Sequence, residues 1–120
     1  MAAGVYNTVI EQGASWRRRL TWCRKNPDGS AGAPYDLTHC SAYMQIRPGH
    51  DQAVITEIST ETQEITIDGP NGIIVLYLSP AKTDLIARRA RYDLLVVFPS
   101  GDAYRVLGGK INVALAITEP

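Results

Sequence analysis

Apolar and polar residues alternate with a period of two through much of this chain, most clearly in its last third. Residues 92–98 form an apolar run that stops at Pro99-Ser100-Gly101-Asp102, where proline and glycine end a strand and permit reversal. The chain returns through residues 104–107 and 111–117, where Ile111, Val113, Leu115 and Ile117 alternate with Asn112, Ala114 and Ala116. Successive side chains of a strand point to opposite faces, so the pattern predicts a long hairpin whose returning strand buries those four residues.

The earlier chain reads the same way. Residues 5–12 predict a first strand, ended or bulged at Gly13. In residues 16–23, Trp16, Arg18, Leu20 and Trp22 share one face, and Arg17, Arg19, Thr21 and Cys23 the other. Leu20 and Trp22 are expected in the core and Trp16 at its end, with the Arg18 stem running past Trp16. Residues 25–34, punctuated by Pro27, Gly29, Gly32 and Pro34, predict a surface loop available for contacts. Residues 41–47 predict a strand with Ala42, Met44 and Ile46 inward and Tyr43, Gln45 and Arg47 outward, followed by a turn at Pro48-Gly49-His50-Asp51 and a strand over 54–58.

Residues 64–68 and 73–79 flank Gly69-Pro70-Asn71-Gly72, a hairpin signal. Residues 73–78 are apolar on both faces, which predicts a central strand covered on both sides or one whose outer face meets another subunit. Ser79 as cap, Pro80 at the first helical position and Asp84 in the early turns predict a helix to about Ala87. About eight short strands and one crossover helix predict one all-β domain over the whole chain: an antiparallel β-sandwich, immunoglobulin-like or jelly-roll-like, with residues 1–6 as an N-terminal arm.

Charge narrows the partners. Twelve basic and twelve acidic residues cancel, which argues against nucleic acid held through a broad electrostatic footprint. A chain near neutrality is poorly protected against self-association, which suits an oligomer. No apolar run approaches the ~18–20 residues that span a bilayer. The first residues lack the basic start and apolar core of a signal peptide, so a cytoplasmic origin is expected. Cys23 and Cys40 are too few for a disulfide framework. A bond between them stays open if their strands pair, although a reducing compartment counts against it.

No cluster predicts catalysis, a cofactor or a metal. There is no GxSxG elbow, and His39 and His50 are the only imidazoles. Cys40 follows His39 directly, and neighbours in a strand face opposite ways. Cys23, His39, Cys40 and His50 match no zinc spacing, and free cysteine more often packs as a small hydrophobe. Glu57, Glu61, Glu64 and Asp68 read as a solvated acidic edge. The arginines stand out: Arg17, Arg18, Arg19, Arg88, Arg89 and Arg91 make up half of the twelve basic residues. Exposed on strands they would suit bidentate pairing with carboxylates across an interface. Sugar binding would need a concave aromatic face, for which Tyr43, Tyr77 and Tyr104 are the candidates.

Several segments together resemble small structural proteins of tailed bacteriophages. They are Ile10-Glu11-Gln12-Gly13-Ala14-Ser15-Trp16 with Leu20-Thr21-Trp22, and Tyr35-Asp36-Leu37-Thr38 before Ala42-Tyr43-Met44-Gln45-Ile46-Arg47. Later come Gly72-Ile73-Ile74, the expected turn of helix from Ser79 to Leu85, Tyr92-Asp93-Leu94, and Pro99-Ser100-Gly101-Asp102 with Arg105-Val106-Leu107-Gly108-Gly109. The resemblance runs nearly the whole length, in order, and is to the N-terminal β-sandwich modules of baseplate and receptor-binding attachment proteins. Cys40 departs from it, standing near where the pattern has glycine, and the 25–34 segment is longer than usual. The resemblance implies a non-catalytic virion component, oligomeric or part of a symmetric assembly. Its partners would be other virion proteins: tail, baseplate, fibre, connector or capsid. A tail, baseplate or head–tail adaptor is the leading expectation, with a capsid decoration protein or a receptor- or carbohydrate-binding sandwich as alternatives. The residues expected at protein interfaces are Tyr6, Arg17, Arg19, Asn26, Asp28, Tyr35, Arg88, Arg89 and Arg91.

Overall fold

The computed structural model describes residues 4–49 and 51–118. These form eleven strands and one four-residue helix: β1 (Gly4–Val5), β2 (Thr8–Glu11), β3 (Trp16–Thr21), β4 (Cys23–Lys25), β5 (Ala31–Pro34), β6 (Ser41–Arg47), β7 (Thr56–Ser59), β8 (Ile65–Asp68), β9 (Ile73–Leu78), α1 (Pro80–Thr83), β10 (Ala90–Val97) and β11 (Ala103–Ala114). The protein is all-β. Its larger sheet runs β1-β11-β10-β6-β7, with β2 also on β11; β3-β9-β8 form a second sheet and β4-β5 a ribbon.

Alternation is realised on β2, β6, β7, β9 and β10, but not on β11, the longest strand, where Ile111 alone is buried. Ala42, Met44 and Ile46 on β6 and Tyr92, Leu94 and Val96 on β10 are buried. From the second sheet Trp16, Ile65, Ile74, Leu76 and Leu78 join them, and both sets belong to one continuous core with Leu37 and Ile86. Each fully buried aliphatic side chain there contributes ~1.5–3 kcal/mol. The helix forms as expected at its start: the Ser79 hydroxyl accepts from the Lys82 amide and Pro80 opens it. It carries the chain from β9 in one sheet to β10 in the other.

Several expectations are corrected. The strands number eleven, because residues 5–12 split into β1 and β2, residues 16–23 divide between β3 and β4, and the 25–34 segment keeps a loop at residues 26–30 but adds β5 paired with β4. Pairing is not wholly antiparallel: β1 and β2 both run parallel to β11, which the long intervening chain permits. The helix ends at Thr83, with Asp84 as its C-cap rather than in its first turn. Trp16 is the buried tryptophan, whereas Leu20 and Trp22 pack against the core half-exposed. The largest departure is at the end of β11: pairing stops at Ala114, and Leu115 and Ile117 are 64% and 100% exposed. The turn after Gly49 includes His50, which lies outside the described residues.

Candidate interaction surface

The nine residues expected at interfaces fall into four places. Tyr6 belongs to the sheet rather than to an arm: its amide donates to the Gly108 carbonyl at 2.9 Å, and its own carbonyl accepts from the Tyr92 hydroxyl at 2.6 Å. A Cβ on Gly109 would lie 2.1 Å from that carbonyl, so only glycine admits the approach. The Tyr6 hydroxyl accepts from Arg18 Nε at 3.0 Å, and this donation holds Tyr6 below the ordinary tyrosine pKa. The Arg18 guanidinium lies 5.0 Å from the Trp16 ring centroid, as its shared face with Trp16 anticipated. Burial pushes Tyr92 up to about 12, with Tyr6 adding to the effect. Residues 1–3 of the expected arm lie outside the described residues.

Arg17 and Arg19 stand exposed on the outer face of β3, in register with Tyr77 and Val75 of β9. The Arg17 guanidinium covers the Tyr77 ring at 4.8 Å. Ile73, Val75 and Tyr77 are thus half-covered by their own neighbours on that face.

Asn26 and Asp28 build the tip of the ribbon. Asp28 Oδ1 accepts from both the amide and the hydroxyl of Ser30, which holds its carboxyl below the usual range. Asn26 Nδ2 donates to the Ser30 hydroxyl and the Ala31 carbonyl. Tyr35 lies between the Trp22 ring, at 4.6 Å, and the Arg24 guanidinium, at 4.5 Å. Trp22 also meets Phe98 and Tyr104 at 6.0 and 6.4 Å, an aromatic cluster that strand periodicity did not reveal. Gly72 is clasped beneath it: its positive φ of 62° and the Trp22 and Tyr35 carbonyls, each under 3 Å from a Cβ placed there, both require glycine.

Arg88 and Arg89 are exposed in the connection after α1. Arg91 sits on the outer face of β10, where register adds what its neighbours in sequence did not. It is opposite Arg47 of β6 on one side and Lys110 of β11 on the other. Three cations therefore stand in one cross-strand row, and like charges directly opposite destabilise a sheet. The next outward row is Gln45, Asp93 and Gly108. Arg105 reaches Asp93 through Nε at 2.9 Å. Between these rows lies a groove of about 570 Å³ with Gly108 and Gly109 in its lining. Arg47 donates to the Gln45 side chain and the Gln52 carbonyl. Among the described residues the Arg91 guanidinium has no hydrogen bond or ion pair.

The other candidate chemistries are scattered. Cys23 and Cys40 are both free thiols, and Cys23 is paired in the ribbon opposite Pro34. Burial pushes the Cys40 thiol up, with Asp36 adding to it, and so favours its protonated form. Among the described residues no group of three His, Cys, Asp or Glu side chains is placed to hold a metal ion. Tyr43 and Tyr77 lie on different sheets and Tyr104 in the Trp22 cluster, so they form no common platform. Glu64 is paired with Lys82 at 2.6 Å, away from the solvated edge expected for it. Among the described residues no helix is long and apolar enough to cross a membrane. Compared with known proteins, the chain matches no family model and no curated protein.

Proposed function

We propose that this protein is a non-catalytic structural component of a tailed-bacteriophage virion. It is a β-sandwich module, immunoglobulin-like or jelly-roll-like, that acts as a tail, baseplate or head–tail adaptor in contact with other virion proteins. The ordered resemblance along the chain supports the phage setting. The single observation that carries a binding role is the outer face of the larger sheet, where Arg47, Arg91 and Lys110 stand in one row. Such a row lowers the stability of the isolated domain and gains a use when a partner brings negative charge. Paired strands already fix the backbone of these residues, so docking has only their side chains to order.

Mass spectrometry of purified particles, together with native mass spectrometry of the isolated protein, tests the reading. The expected result is the protein in the particle at fixed stoichiometry and an oligomer or mixed complex in solution. A strict monomer absent from particles overturns it.

A further inference from the structure

We infer that the groove over Gly108 on the outer face of the larger sheet is a binding site for an extended acidic peptide, which it engages through side-chain carboxylates. The inference deepens the reading of the protein as a binding module and names what that surface takes. Three guanidinium groups, from Arg47, Arg91 and Arg105, line the groove, and Asp93 is the one acid among the lining residues. Asp93 is already matched by Arg105 at 2.9 Å, which leaves two positive charges for a ligand. Arg91 has its whole planar fork available, a geometry that accepts a carboxylate through two parallel hydrogen bonds. Gly108 adds no side chain to the floor, so a peptide backbone can lie close to the sheet.

The size of the site selects the ligand. Two unmatched charges suit a pair of carboxylates, whereas a nucleic-acid backbone carries a charge every few ångströms and needs a longer basic track. The balanced charge of the whole chain supplies no such track. Gln45 at the wall both accepts from Arg47 and donates to Glu57, at 2.9 and 3.0 Å. It marks where the face turns from basic to acidic and limits the cationic stretch on that side.

The test is a heteronuclear NMR titration of the intact protein with hexaglutamate. Shifts are expected at the amides of Arg91, Asp93 and Gly108. Arg91→Gln should weaken binding about tenfold, the loss of a hydrogen-bonded charge contact, and Asp93→Asn should strengthen it. Lys25→Gln, on the exposed β4-β5 ribbon, should leave it unchanged. Shifts spread over both sheets, or affinity indifferent to Arg91→Gln, overturn the site. Inorganic phosphate or a single-stranded oligonucleotide binding there more tightly than hexaglutamate at equal charge overturns the choice of ligand. Particle incorporation with no Arg91-dependent peptide binding removes this inference alone. Arg91-dependent binding by a protein absent from particles removes the phage reading alone.

Discussion

The Tyr92 hydroxyl donates to the Tyr6 carbonyl oxygen at 2.6 Å, joining residues 86 positions apart in the chain. It fastens the segment between β1 and β2 against the middle of the larger sheet. Removing the hydroxyl leaves a carbonyl without its partner, so Tyr92→Phe should lower stability by about 1–2 kcal/mol in urea denaturation. A more severe outcome is expected for Gly109→Ala, whose Cβ would overlap the same carbonyl. Hydrogen exchange should then show loss of protection confined first to β1 and β2.

The same tyrosine gives a pH signature. Its pKa is near 10 in the unfolded chain and about 12 when folded. Between those values the folded state holds a proton that the unfolded state has lost, so stability must fall as pH rises through that window. Denaturation measured from pH 9 upward should show a decline that is shallower in Tyr92→Phe, by about 1–2 kcal/mol at the top of the range. Equal slopes would mean that Tyr92 is not the group responsible.

Thr83 is fully buried, and its hydroxyl lies 3.1 Å from the Gly13 amide and 2.8 Å from the Ala14 carbonyl. It binds α1 to the turn that passes the chain from one sheet to the other. Thr83→Val keeps the shape and removes the hydroxyl, and should cost about 1–3 kcal/mol. Thr83→Ser should recover most of that in the same thermal melt.

The row of Arg47, Arg91 and Lys110 predicts the opposite sign. Arg91→Gln removes the middle charge and should raise stability by ~0.2–1 kcal/mol at low ionic strength, with the gain shrinking as salt is added. A destabilised variant would show that Arg91 contributes to the fold through contacts and not only through charge.

Positions on β11 and just beyond its end should respond very differently to one substitution. Ile111 is fully buried, so Ile111→Asp should unfold the domain, because an unpaired buried carboxylate costs several kcal/mol. Ile117 is fully exposed, and Ile117→Asp should leave the melting midpoint unchanged. Val113, half-buried against the core, should fall between them.

Those three residues mark how far the chain can be read directly. Local sequence determined the all-β class, the inward face of β6, the hairpin at residues 69–72 and the capped start of α1. Each depends on a residue and its near neighbours, through side-chain direction, turn chemistry or a cap. Alternation also continues to Ile117, yet burial needs a second surface, and the described residues leave Leu115 and Ile117 exposed. The same limit applies to the groove. Arg91 was legible as an exposed arginine, but Arg47, Arg105 and Lys110 come to it from other strands. Only the pairing register of β6, β10 and β11 decides that like charges meet across three strands while glycine clears the floor beside them. Register is a property of assembled sheets, since a shift of one residue would turn every one of these side chains to the other face.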